Sequence, residues 1–272
     1  MRWSQWSLKR KPLDTPIGFS SQMDGALSIE PFVVSAGKAE PLTVRSQTLY
    51  KGRYPFILSQ LAGSKVRLTE LAFSVDPDQD PTKLPVATSG THGLDLVRLT
   101  FTNDATGPAE ISLKLSGRER NLPGHASVGR DQTGTLINRA GEDVALVDSS
   151  AGFAATVEDS GLTLTYHATL GANQSRTLWL RLPYEWSAIR NSEVSNLPGE
   201  VLLTKAVAQW DDLWSRGTRI HYPEQKLNDF FDSSIAYVLI LTEYDAQGDL
   251  WALDVPPYLA ISAQRCTQNS QT

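Results

Sequence analysis

The sequence predicts a mainly β protein, a large antiparallel β-sandwich followed by a C-terminal helical pair. Three observations carry this reading. Between residues 26 and 183, apolar and polar residues alternate with period two in one short run after another. Clusters of Gly, Asn, Asp, Pro and Ser separate those runs, as turns between antiparallel strands require. From residue 200 the period changes to that of a helix.

Residues 1–25 have no period and form an irregular N-terminal segment, with Trp3 and Trp6 ahead of a Pro/Ser-rich run. Strands follow at 26–34, 42–50, 54–61 and 66–75, with Lys51-Gly52 and Gly63-Ser64 as turns. Leu42, Val44, Ser46, Thr48 and Tyr50 share one face of the second run; Val66, Leu68 and Glu70 share one face of the fourth. The acidic, proline-rich run 76–85 lacks the glycine and closing glutamate of a calcium loop and reads as surface. In 95–103 and 109–117, Val97, Leu99, Phe101 and Ile111, Leu113, Leu115 alternate with polar residues across a turn at Asn103–Pro108, which predicts a hairpin. Residues 117–134 read as a polar loop; short strands follow at 136–137, 144–147, 153–157, 162–169 and 177–182. Each strand has one apolar face, so two sheets must face each other to bury them.

Residues 184–199 read as a linker and 200–248 as two helices. In the first helix Leu202, Leu203, Ala206, Val207, Trp210, Leu213 and Trp214 form a stripe, and Gly217 ends it. In the second, which Pro223 opens, Leu227, Phe230, Phe231, Ser234, Ile235, Val238 and Leu241 form a wide stripe that Tyr237, Leu239 and Ile240 broaden. Residues 249–272 read as an irregular tail.

The 272 residues carry a net charge of −5, which argues against a nucleic-acid partner. No apolar run is long enough to span a membrane. MRWSQWSLKRKPL has no apolar core after its positive charges, so the default expectation is cytoplasmic, or exported if the true start lies upstream. A lone Cys266 excludes an internal disulfide, and His92, His125, His167 and His221 match no metal spacing; no cofactor is expected. Asp211 and Asp212 read as solvated or capping charges, and Glu224 as an acid at the positive end of its helix. Asn228 or Asp229 can hydrogen-bond across the domain junction.

The order of elements resembles bacterial glycoside hydrolases of the six-hairpin type, in which an N-terminal β-supersandwich precedes an (α/α)6 barrel. The residues that carry the resemblance are Trp210, Asp211, Leu213, Trp214, Gly217, Ile220, Pro223, Leu227, Asn228, Ser234 and Tyr237. The runs Leu49-Tyr50-Lys51-Gly52, Leu96-Val97-Arg98-Leu99 and Leu178-Trp179-Leu180-Arg181-Leu182-Pro183 fit it as well. The resemblance implies glycosidic hydrolysis in the intact protein. It also implies sugar contacts from Asp249, Trp251 and Asp254 near the barrel mouth, where an indole face packs on pyranose C–H groups. After Asp254 the pattern departs from the family, and no carboxylate pair is assignable. The expectation is therefore a non-catalytic, truncated N-terminal part.

Two rival readings come from the residues. One is a stand-alone carbohydrate-binding module that holds an oligo- or polysaccharide on exposed Trp3, Trp6 or Trp179. The other is an interaction protein that docks or self-associates through Phe230, Phe231, Val238 and Leu241.

Overall fold

The computed structural model describes residues 17–20, 25–35, 37–75, 94–119, 126–131, 134–139, 142–147, 153–157, 163–183, 197–216, 220–240, 242–244 and 250–253. Trp3, Trp6, the 76–85 run, His92, His125, Gly217, Leu241, Asp249, Asp254 and Cys266 lie outside them.

The architecture is the predicted one: two antiparallel sheets face each other, and two helices follow. The first sheet is built from β1 (Ile17–Ser20), β2 (Gly25–Ser35), β3 (Lys38–Pro41), β8 (Ala109–Glu119), β12 (Ala154–Val157) and β13 (Thr163–Leu170). Its order is β1-β2-β8-β13-β12, and β3 shares the β1 edge of β2 by pairing with its last residues. The second sheet contains β4 (Thr43–Tyr50), β5 (Tyr54–Ala62), β6 (Val66–Val75), β7 (Leu94–Asn103), β9 (Ala126–Asp131), β10 (Gly134–Arg139), β11 (Glu142–Val147) and β14 (Ser175–Pro183). It runs β4-β5-β6-β7-β14-β11-β10-β9. Helix α1 spans Gly199–Arg216 and α2 spans Gln225–Ile240; β15 (Thr242–Tyr244) pairs with β16 (Leu250–Leu253).

The molecule has two cores. The inner one lies between the sheets and contains Val33, Leu68, Leu99, Phe101, Ile111, Leu113, Tyr166 and Leu178. The outer one lies between the second sheet and the helices and contains Phe56, Leu71, Phe73, Leu96, Trp179, Leu202, Ala206, Trp210 and Trp214. Strand β6 feeds both: Val66, Leu68 and Ala72 point inward, Leu71, Phe73 and Val75 outward. Period two holds here, but both faces are apolar because both are covered.

The predicted hairpin between 95–103 and 109–117 does not form. Strand β7 already has β6 and β14 as neighbours, so the chain crosses at Asp104–Pro108 into the other sheet, where β8 pairs with β2 and β13. Buried Asn103 organises the crossing. Its Nδ2 donates to the carbonyls of Gly107 (2.8 Å), Leu170 (3.0 Å) and Gly171 (3.0 Å), and its Oδ1 accepts from the Ala105 amide (3.0 Å). One side chain thus ties this crossing to the one from β13 to β14.

Lys51 and Gly52, with φ of 50° and 78°, make the predicted turn between β4 and β5, a pair of left-handed residues of the kind a type I′ turn needs. The even face read for 42–50 is broken by register shifts at Val44/Ser46 and Leu49/Tyr50, which suit an edge strand. The irregular segment 1–25 contains β1, formed by pairing with β2. The polar loop at 117–134 holds the end of β8 and β9, whose partner β10 sets its register. The second helix stops at Ile240 rather than 248, and the tail contributes β16, because Thr242–Tyr244 and Leu250–Leu253 pair as antiparallel strands.

Candidate functional site

The joint between the outer sheet face and the helices holds a cluster of charged and polar side chains, Arg53, Tyr54, Asp211 and Asp232. It starts from the α1 stripe. Leu202, Leu203, Ala206, Trp210 and Trp214 are all buried against the sheet, and Val207 and Leu213 flank them. The N-terminus of α1 is fixed by Pro198, whose carbonyl accepts from the amides of Val201 (2.9 Å) and Leu202 (3.2 Å). Glu200 in its first turn reaches Arg98 of β7 at 3.1 Å, and that guanidinium lies over the Trp179 ring.

The β4–β5 turn projects Arg53 between the two helices. Its Nη2 donates to Asp211 Oδ1 (2.8 Å) and the Tyr54 hydroxyl (3.0 Å), and its Nη1 to Asp232 Oδ2 (3.3 Å). The Tyr54 hydroxyl donates to Asp211 Oδ1 at 2.9 Å. The guanidinium also faces the Trp214 ring, 4.9 Å from its centroid. Burial pulls the Arg53 pKa down, but the Tyr54 hydroxyl, Asp211 and Asp232 outweigh it, so the group lies above its ordinary value. Burial raises the Tyr54 phenol above its usual range.

Chemically this is a clamp. Glycoside hydrolysis needs two carboxyls about 5–9.5 Å apart with the sugar bond between them. Here an arginine fork occupies the space between Asp211 and Asp232. Asp211 is therefore neither free nor a helix cap; Asp212 instead pairs with Arg216 one turn on. Asn228 does not cross the junction: it accepts from the Tyr222 amide (2.7 Å) and donates to the Tyr222 carbonyl (2.9 Å). Asp229 bonds locally too, its Oδ1 accepting from Gln225 Nε2 at 2.7 Å, although its Oδ2 lies so close to Gly52 across the junction that a Cβ there would stand 3.1 Å away. The carbonyl of Glu224 caps the start of α2 by accepting from the Leu227 and Asn228 amides.

The face that α2 turns to the sheet differs from the stripe read in its sequence. Ala236 is buried, Phe231 and Ile235 are half-buried, and Leu227 and Phe230 point out, Phe230 with 70% exposure. An apolar residue on nearly every side leaves the contact face undefined, and Arg53 selects it through Asp232. Trp179 is buried beneath α1 and edge-on to Phe73, so it is no exposed sugar platform. Trp251 lies on β16 opposite Glu243.

A groove of about 550 Å³ is lined by Val34, Glu110, Ser112, His167 and Thr169 of the first sheet and Arg176 of β14, among others. His167 Nδ1 is 2.7 Å from Ser112 Oγ, a nucleophile–base combination by residue type. Ser112 is itself buried, so its hydroxyl offers an incoming carbonyl no approach. Among the described residues no group of three or more His, Cys, Asp or Glu is placed to hold a metal, and no helix is long and apolar enough to cross a membrane.

A scan against protein-family models finds no match to this chain, and a search of curated proteins finds none either.

Proposed function

We propose that this chain is the non-catalytic N-terminal part of a glycoside-hydrolase-like protein of carbohydrate metabolism, a sandwich that serves as the platform for a helical domain. The observation that supports this is the outer core. Trp179, Trp210 and Trp214 join sheet and helix in one buried layer, with Arg53 clamping the two helices beside it. In this reading the hydrolytic carboxyls belong to the helical domain such a platform carries, and the outward residues Leu227 and Phe230 receive its further helices.

The purified chain is expected to hydrolyse no member of a panel of aryl glycosides and oligosaccharides. Turnover that disappears on Asp211→Asn or Asp232→Asn would make the chain an enzyme in its own right and end the proposal. The exposure of Phe230 also favours a second reading, self-association through α2. Sedimentation of the chain and of Phe230→Ser separates the two: a wild-type dimer that the substitution dissociates favours self-association, and a monomer in both favours the platform.

A further inference from the structure

Glu70 sits in the middle of β6 on the face that looks into the inner core. Its register partners are Ser59 on β5 and Leu99 on β7. The rows on either side are apolar: Leu61, Leu68 and Phe101 on one, Ile57, Ala72 and Val97 on the other. Glu70 is 2% exposed, and no donor among the described residues lies within hydrogen-bond distance of its Oε2. β5 turns no titratable side chain toward this core beside it; β7 turns Asp95 the same way as Leu99, two register rows from Glu70, where it is buried and accepts from the Ser74 hydroxyl. From the opposite sheet, Val33, Ile111, Leu113, Ala168 and Leu170 are apolar, and Tyr166 is the titratable residue. In the same sheet Arg176 of β14 stands opposite Phe101, toward the end of the core.

An isolated carboxylate in such surroundings is strongly disfavoured, and the group responds by holding its proton. Burial pushes the Glu70 carboxyl up to about 7. The back of the same strand carries Leu71, Phe73 and Val75, the floor on which α1 packs. Whatever loosens β6 therefore acts on both cores.

We propose that Glu70 is a proton-operated latch: the inner core closes around β6 while the carboxyl is protonated, and ionisation loosens β5, β6 and β7 and, through the back of β6, the helical layer. The sign follows from linkage. The folded chain keeps a proton that the unfolded chain releases at the ordinary carboxyl value of 4.5. The stabilisation is thus complete below that value and is lost as pH rises through about 7. Across this window the unfolding constant rises by on the order of a hundredfold from this group alone.

The test compares denaturant unfolding of the full chain and of Glu70→Gln from about pH 5 to about pH 8.5. Glutamine keeps the shape and cannot ionise. The wild-type chain is expected to lose on the order of a hundredfold in folding constant relative to the variant as pH rises. Parallel profiles would overturn the latch. Should Glu70→Gln not fold, the carboxyl carbon of Glu70 in the wild-type chain, followed by NMR, decides: a midpoint near neutrality supports the latch, and an ordinary carboxyl midpoint overturns it.

Discussion

Gly199 lies against the indole of Trp179, so that a Cβ on Gly199 would stand 2.3 Å from Trp179 Cδ2 and 2.4 Å from Cε2. The first residue of α1 thus touches the centre of β14. No side chain fits there, and the helix begins where the ring lets the backbone come closest. On an open helix, Gly→Ala stabilises by up to about 1 kcal/mol. Here Gly199→Ala is expected to destabilise by about 1–3 kcal/mol, because the indole must shift within a packed layer. The denaturation midpoint reads the sign directly; a gain in stability would mean that the helix does not begin on Trp179.

Arg53 holds two helices with one fork. Arg53→Ala is expected to lose about 2 kcal/mol, since hydrogen bonds to charged partners contribute about 1.5–3 kcal/mol and Asp232 is left largely enclosed without its cation. Arg53→Lys should recover little, because a single ammonium cannot serve Asp211, Asp232 and Tyr54 together. A double-mutant cycle between Arg53 and Asp232 that returns no coupling would contradict the clamp.

The two cores respond differently to truncation. Trp214→Ala is expected to cost about 3–5 kcal/mol and to lower amide protection in α1 together with β6 and β7, which share the outer core, more than in β8. Leu113→Ala, in the inner core, is expected to cost about 2–5 kcal/mol and to lower protection throughout both sheets. Identical exchange patterns in the two variants would count against a separate outer core.

Asn103→Asp puts an oxygen where Nδ2 faces three carbonyl oxygens. The substitution is expected to cost about 3 kcal/mol or more at neutral pH. The fold disfavours the new carboxylate, so the aspartate pKa should rise, and stability should return partly as pH falls and the group takes up a proton. A Tm that is flat across the acid range would contradict the two-crossing role of Asn103.

The fold was legible wherever one periodicity met one environment. Leu202, Ala206, Trp210 and Trp214 announce a helix with one buried face, and Val97, Leu99 and Phe101 announce an inward strand face. The hairpin between β7 and β8 failed because alternation reports a strand's faces and says nothing of its neighbour. Its signal was Asn103, a residue with enough hydrogen-bonding groups to serve a crossing and placed at the end of an apolar run. Trp179 looked available because Thr177 and Arg181 flank it on the outer face; the helix that covers it lies 20 residues later and cannot be read from the strand. The clamp was less legible still. Arg53, Asp211 and Asp232 are separated by 158 and 21 positions, and nothing local to any of them names the others. Asp249 and Asp254, which the resemblance expects to contact sugar, lie outside the described residues.

The claim that the helices are built onto the sandwich as one folded layer meets its most direct test in native-state hydrogen exchange of the whole chain. The amides of Leu202 to Trp214 are expected to open with the same free energy as those in the centre of β6 and β7, since the outer core joins them. Exchange of α1 through a low-energy opening, with the strands still protected, would show that the helices merely rest on the sandwich and that the platform account is wrong.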